Sequence, residues 1–500
     1  MKKIVYLPLD ERPCNYGFPS EIFNSSLYSI VVPPKDIMGE KKKPAKHEAL
    51  EAFLLEECRD ADGLVISLDT LIYGGIVPSR LHYLTADVLK KRLLFITKIK
   101  NQYPHLPLFA FQLIMRCPQY DSSDEEPEYY QHSGRHIYLN GYYQNKKQLG
   151  ILSLDEAQHW ETIKVEERYL NDFLSRRALN KQINIFTLDL LAQGAIDFLV
   201  IPQDDASEYG YTAMDQVDIR TVIRQKQLMH QAYMYPGADE AGCVLVSRMI
   251  NHLEQKTPAF FVKYPSPTTP MVIPCLEDRY VDVTIKYHIA CAGGVTVPSL
   301  ADADLVLLPF LGATNMIPRP SNEPSLDVDV MCNFTEMMEF ANYAINKAYP
   351  VAIADLVYLN GGSIDILNFL ESKNLTMKVA SYAGWNTSSN SLGTAIAQAI
   401  QFWYRGHSPQ HEAFLIKRYV EDVGYCGMVR ALVTKQLGTY GMNYFDVKEK
   451  EGQAAQLVNQ ELQAFITQYL PSIKDRFYLS KVNLPWMRMF EVDFKINLKD

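Results

Sequence analysis

Short apolar runs and segments of helical period take turns along most of the chain. The runs are "KIVYLPL" (3–9), "GLVISL" (63–68), "LFAFQLIM" (108–115), "FLVI" (198–201), "AYMYPG" (232–237), "FFVKY" (260–264), "DLVLLP" (304–309), "VAIADL" (351–356) and "KVASYAG" (378–384). Most are apolar without alternation, the pattern of strands buried on both faces of a parallel sheet with helices between them. The fold class is therefore α/β. Nine strands exceed by one the eight of a closed (β/α)8 barrel. A barrel-like parallel sheet is the preferred architecture, with one side strand; the alternative is two open α/β sheets that divide near residue 255.

Two regions interrupt the alternation. Residues from about 120 to 195 read as a helical insertion between the third and fourth strands, long enough to cover one end of the sheet. Within it, "SLDEAQHW" carries a capping box, Ser153 with Glu156. From 405 the character changes again. Helical periods run from about 408 to 470, then Pro471, then "WMRMFEVDFKI" (486–496) alternates with period two. The expected organisation is a barrel-like catalytic domain over 1–404 and a C-terminal α+β appendage over 405–500, with no internal repeat.

Polar and charged residues gather where the runs stop. Asp10, Glu11 and Arg12 follow the first; Asp69, Tyr73 and Arg80 the second; Arg116 the third; Asp204 and Asp205 the fourth; Asp239 and Glu240 the fifth. Asp355 and Asn360 close "ADLVYLN", and Trp385, Asn386 and Asn390 lie in "AGWNTSSN". The carboxyl edge of a parallel sheet is where ligands bind, so these side chains are expected to converge on one hollow. The competing explanation is capping, because Asp and Asn accept hydrogen bonds from the free N–H groups that open the next helix.

"FLVIPQDDASEYG" (198–210) separates the two explanations. Asp205 with Glu208 has capping-box spacing, but one acid suffices for a cap. A second carboxylate alongside costs like-charge repulsion and raises one of the two pKa values, which is useful where one group donates a proton and its neighbour does not. The usual retaining glycosidase needs carboxylates about 5 Å apart on opposite sides of the bond, which consecutive residues do not supply.

The blocks "LPLDERPCN", "ISLDTLIYGG", "VIPQDDASEYG", "YPGADE" and "GWNTSSNSLG" resemble a bacterial family of domains of unknown function, over nearly the whole chain. More locally, an apolar strand ending in Asp-Asp, with a later Trp-Asn and a further Asn, is similar to the substrate-assisted N-acetyl-β-hexosaminidases of the O-GlcNAcase and hyaluronidase-like kind. That resemblance implies that the sugar's acetamido oxygen attacks the anomeric carbon. Asp204 would orient the acetamide, Asp205 would protonate the leaving oxygen, and Trp385 with Asn386 or Asn390 would bind sugar. The other strand-end residues, Asp10, Arg12, Asp69, Tyr73, Arg80, Arg116, Asp239, Glu240, Asp355 and Asn360, are candidates for gripping hydroxyl groups. Asp10 pairing with Arg12 or Arg80, and Trp385 packing in the core, are the structural alternatives.

Composition trims the remaining options. A net charge of −9 with acids and bases interspersed offers no basic face for nucleic acid and little attraction to an anionic membrane. The opening "MKKIVYLPLDERP" is broken by Pro8, Asp10 and Glu11 before a signal-peptide core can form, and no run reaches the roughly 18 apolar residues of a membrane helix. Eight cysteines without a C-x-x-C pair point to reduced thiols and a cytoplasmic location. No histidine stands directly on a strand end and H-E-x-x-H is absent, which disfavours zinc; His132 and His136 are read as solvated. A magnesium site from Asp10, Asp204, Asp239 and Asp355, serving phosphoryl transfer or hydrolysis, stays open. "LNGGSIDIL" (359–367) is read as a glycine-assisted turn, no nucleotide motif occurs, and G-x-S-x-G is missing. The expectation is a cytoplasmic glycoside hydrolase-like enzyme without a cofactor, acting on an N-acetylated amino sugar. A metal-dependent phosphoryl-transfer or hydrolytic enzyme and a non-catalytic carbohydrate- or metabolite-binding protein are the alternatives.

Overall fold

The computed structural model describes residues 1–321 and 323–499; Asp500, the end of the expected appendage, lies outside the described residues. The chain forms two compact units. Met1–Ser20, Asn24–Met249 and Leu276–Asp278 make the first; Glu21–Phe23, Ile250–Cys275 and Arg279 onward make the second.

In the first unit six strands form one parallel sheet: β1 (Lys2–Leu7), β2 (Tyr28–Val31), β3 (Gly63–Ser67), β4 (Leu108–Phe111), β5 (Phe198–Gln203) and β6 (Ala232–Pro236). Their order is β2-β1-β3-β4-β5-β6, in registers such as Ile4 with Gly63 and Phe109 with Phe198. Ile4, Val5, Tyr6 and Leu7 are all fully buried, so both faces of β1 are covered, as its unbroken apolar run requires. The chain steps outward from β1 to β2, then back across β1 to β3. With right-handed crossovers this reversal puts helices on opposite faces and opens a crevice at the carboxyl ends of β1 and β3, the switch point of a doubly wound sheet.

The second unit carries β7 (Ala259–Val262), β8 (Val295–Thr296), β9 (Leu305–Phe310), β10 (Val351–Asp355) and β11 (Ser381–Ala383), parallel in the order β8-β7-β9-β10-β11. Counted within the unit, this is second, first, third, fourth, fifth: the order with which the first sheet begins. The two units thus share a strand order that no sequence repeat announces. Among the described residues the pairings give two parallel sheets, of six and five strands, and do not show a closed barrel. Strands β2 and β8 escape the apolar-run criterion because they are short edge strands, β2 buried only at every second residue and β8 exposed at both of its residues.

The insertion between β4 and β5 is helical: Tyr130–Gln148, Leu154–Thr162 and Glu167–Ala192. The capping box is formed, with Glu156 N–H donating to Ser153 Oγ (3.2 Å) and Ser153 N–H to Glu156 Oε2 (3.0 Å). The insertion reaches the loops at the carboxyl edge, Gly210 N–H donating to Asn145 Oδ1 (3.1 Å) and Asn180 Nδ2 to the Ser79 carbonyl (2.8 Å). At the other end of the chain, β12 (Phe477–Asn483) and β13 (Asp493–Leu498) pair antiparallel. Residues 405–499 do not stand apart as an appendage: Leu415, Tyr419, Phe465 and Phe494 share one hydrophobic core with Val306, Leu308 and Ile353 of the second sheet. Among the described residues no helix is long and apolar enough to cross a membrane.

Candidate functional site

Beyond β1 the chain turns at Asp10, whose Oδ1 accepts the Arg12 N–H (2.9 Å), and Pro13 starts a one-turn helix that carries Asn15. Arg12 Nη2 bridges Asp10 Oδ2 and Asp239 Oδ1 at 2.6 Å each, and Asn15 Nδ2 donates to Asp10 Oδ1 (3.0 Å) and Asp239 Oδ1 (2.8 Å). Asp10 is thus Arg12's partner, while Arg80 works elsewhere. The strands β1 and β6 are at a distance in sequence, and only the fold brings these two acids to one guanidinium. Burial pushes the Asp239 carboxyl up to about 7, with Asp10 adding to the rise and Arg12 opposing it. Glu240, expected to face a ligand, turns instead onto its own loop: it is fully buried and its Oε2 accepts the Ala238 N–H (2.9 Å). Gly237 has to be glycine there, since its φ is +141° and a Cβ would stand 2.1 Å from Glu240 Oε1.

After β3, Ser67 caps the helix Leu68–Tyr73 and sets Asp69 in its first turn. Asp69 is 2% exposed and its Oδ2 accepts the Leu113 N–H (2.9 Å) beyond β4. Burial raises its carboxyl to about 7, opposed by the Leu113 N–H and by Arg80. Tyr73 is buried and its ring stacks on His82, ring centroids 4.8 Å apart. Arg80, 2% exposed, donates through Nη1 to Glu125 Oε2 (2.9 Å) and through Nη2 to Asp204 Oδ2 (2.6 Å). Arg116 donates through Nε to Glu126 Oε1 (2.7 Å), through Nη2 to Glu125 Oε2 (3.2 Å) and through Nη1 to Asp205 Oδ2 (3.1 Å). Glu125 and Glu126 were missed by sequence reasoning. The acidic run "DSSDEEPEYY" (121–130), a few residues after Arg116, was the available signal, because buried guanidinium groups need carboxylates within reach.

Asp204 and Asp205 leave β5 in an unusual way. Successive side chains of an extended chain point to opposite faces. Here Asp205 adopts φ +44°, in the left-handed region that Asp tolerates better than most residues. The turn brings both carboxylates to the same guanidinium, Arg116 Nη1 lying 3.8 Å from Asp204 Oδ2 and 3.1 Å from Asp205 Oδ2. Neither acid caps a helix: the next one, Tyr211–Gln225, starts after Gly210, and Glu208 accepts the Tyr209 hydroxyl (2.8 Å) instead of closing a box with Asp205. Burial first, then the Asp204 charge, lifts the Asp205 carboxyl to about 7 against the pull of Arg116 and Arg80. The side chains keep 18% and 12% exposure. Beside Asp204 lies a cavity of about 10 Å³ lined by Asp69, Tyr73, Arg80 and Arg116, room for about one water molecule.

The rise at Asp69 has a consequence for stability. A carboxyl whose folded pKa exceeds its unfolded value of about 3.9 holds its proton more tightly in the fold, so its contribution is retained in acid and lost as pH climbs toward 7. Asp69→Asn keeps an acceptor for the Leu113 N–H and removes the ionisation. Thermal melts are expected to match the parent near pH 4 and to exceed it at pH 8 by on the order of 1 to 4 kcal/mol; a gap that does not widen with pH would contradict this account.

The remaining predicted residues belong to the second unit. Asp355, at the end of β10, accepts from the Tyr382 hydroxyl and the Ser363 N–H through Oδ2, ties that lock the turn into the helix Ile364–Ser372. Burial lifts it to about 6, with the Tyr382 hydroxyl opposing. Asn360 (φ +63°) serves through its backbone: its carbonyl accepts from Arg430 and its N–H donates to the Asn386 carbonyl. Trp385 is 5% exposed and its indole N–H donates to Thr394 Oγ1 (3.2 Å), so the stacking-platform reading gives way to core packing. Asn386 Oδ1 accepts the neighbouring Thr387 N–H (2.7 Å), and Asn390 sits in the first turn of the helix that Thr387 caps. Asp422, also missed, lies in a π-helical stretch, Tyr419–Val429. It is fully buried against Arg418 Nη1 (2.9 Å) and the Gly384 N–H (2.8 Å). Burial pushes it up to about 8.

Among the described residues no group of three or more His, Cys, Asp or Glu side chains is arranged to hold a metal. Of the acids in the expected magnesium set, Asp10 and Asp239 share the Arg12 guanidinium and Asp204 pairs with Arg80. A family model described as protein of unknown function (DUF4127) matches residues 4–495. No curated protein and no solved structure matches the chain.

Proposed function

Within the DUF4127 family, to which this chain belongs, we propose an acid–base enzyme of glycoside-hydrolase type centred on Asp204 and Asp205. The observation that carries the reading is the left-handed turn at Asp205, which brings two neighbouring carboxyls to one guanidinium while one of them is held near pH 7. Backbone strain and like-charge proximity each cost free energy, and both recur where a group must be poised for proton transfer. Asp205 is the proton donor, and Asp204, anchored by Arg80, is the orienting group.

The substrate class we infer is an N-acetylated amino sugar. Its acetamido oxygen attacks the anomeric carbon, the bond to the leaving oxygen breaks, and Asp205 delivers its proton to that oxygen. Water then opens the cyclised sugar, giving one proton back to Asp205. No second carboxylate across the sugar is needed, which fits acids drawn from consecutive positions. All eight cysteines are free thiols, which supports the cytoplasm as the place of action.

Chromogenic N-acetylglucosaminide, N-acetylgalactosaminide and plain hexosides, assayed with and without EDTA, test the proposal. Turnover is expected for N-acetylated sugars alone and to be indifferent to EDTA. EDTA-sensitive release from phosphoesters would replace this reading with the metal-dependent one, and binding without turnover would replace it with a binding protein.

A further inference from the structure

A groove in the second unit, unconnected with the reading above, has its own chemistry. It measures about 990 Å³, near the upper end of the range for sites of small ligands. Its walls come from the segments after β9 and β10, which Ile317 and Tyr358 tie together by a parallel bridge, and from the helix Ile364–Ser372. It therefore lies at the carboxyl edge of a parallel sheet, where such folds bind their ligands.

Three carboxylates, Glu323, Asp329 and Asp365, line the groove, and no lysine or arginine does. None of the three has a basic partner among the described residues. All three are exposed, and Asp329 Oδ2 accepts the Ser325 N–H (2.7 Å). Phe334, Tyr358 and Phe369 supply aromatic surface, and Val357 and Ile364 apolar surface. Tyr358 is 9% exposed, with its hydroxyl donating to the Ser321 carbonyl (2.9 Å). Burial pushes its phenol up to about 12, and Asp355, Asp365 and Asp329 push in the same direction, so the negative field reaches into the groove.

We propose that this groove binds a small organic cation, an amine carried on an aromatic or aliphatic body. An anion would meet three uncompensated carboxylates, and a neutral ligand would leave them without purpose. An ammonium group at the rim satisfies them, while its apolar body covers the aromatic walls and gains cation–π attraction where it crosses a ring face.

Calorimetric titration of the full chain with tryptamine, its alcohol analogue tryptophol and its acid analogue indole-3-propionate separates charge from shape. Tryptamine is expected to bind saturably at one site, about tenfold or more tighter than tryptophol, with no detectable binding of the acid. The double variant Glu323→Gln/Asp365→Asn, altered only at exposed positions, is expected to lose about tenfold in tryptamine affinity and to leave tryptophol unchanged. Absence of tryptamine binding, equal binding of the alcohol, or an unaffected double variant would each overturn the proposal. Asp205→Asn is expected to bind tryptamine as the parent does, so failure of the hydrolase reading and failure of this one are told apart.

Discussion

Asp205→Asn is expected to lower kcat on an N-acetylated glycoside by about 10³-fold, with KM changed by less than about threefold. The amide keeps the size of the side chain and tolerates the left-handed backbone at φ +44° as well as Asp does. It removes the one proton the mechanism transfers. On the proposed mechanism the parent protein should be active in mildly acidic solution and lose activity as pH rises through about 7, where the buried Asp205 carboxyl gives up its proton. The basic limb should vanish in whatever activity the variant retains. Stability should hold or improve at pH 8, because the like-charge contact with Asp204 is gone. A variant with near-parental kcat, or a pH profile rising above 7, would remove Asp205 from the role of acid. A variant that lost activity by unfolding would show itself in the melt.

The second large effect is structural. Arg116→Leu is expected to destabilise the fold by about 3–5 kcal/mol at neutral pH. Arg116 holds Glu126, Glu125 and Asp205 with three separate N–H groups, and Glu126 is 1% exposed. Leucine fills part of the volume but leaves buried carboxylates facing one another. In acid those orphaned carboxyls can take up protons, so the deficit should shrink toward pH 5 and grow toward pH 8. Arg116→Lys should recover only part of the loss, since one ammonium cannot reproduce the fork of three donors. Urea midpoints at the two pH values measure all of this; a deficit under about 1 kcal/mol, or one indifferent to pH, would show that the cluster contributes little.

How much of this was legible beforehand differs from residue to residue. Ser153 and Glu156 were readable as a capping box because the motif is local, and they form one. Asp204 and Asp205 were readable as something more than a cap, and the helix that would have needed capping starts only at Tyr211. Trp385 was not readable: a Trp-Asn pair after a strand looks the same whether the ring stacks on a ligand or fills a core. Glu125 and Glu126 were marked only by their acidic run, and Asp422 by nothing local, since an acid becomes significant only when folding buries it beside a guanidinium.

Unbroken apolar runs dictate buried parallel strands, because a strand covered on both faces has no polar position to spare, and this alone determined the α/β class and most strand positions. The choice between one barrel and two sheets lay with the tertiary structure, as did the company each strand-end acid keeps. Strand order depends on which edge each crossover returns to, and the β2-β1-β3 reversal is repeated as β8-β7-β9 without any repeated sequence. The same holds for charge: Asp10 and Asp239 meet on Arg12, and Asp204 and Asp205 on Arg116, through folding and a single left-handed turn. Local pattern sets what each segment buries, while the distances that shift a pKa are made only when remote segments pack.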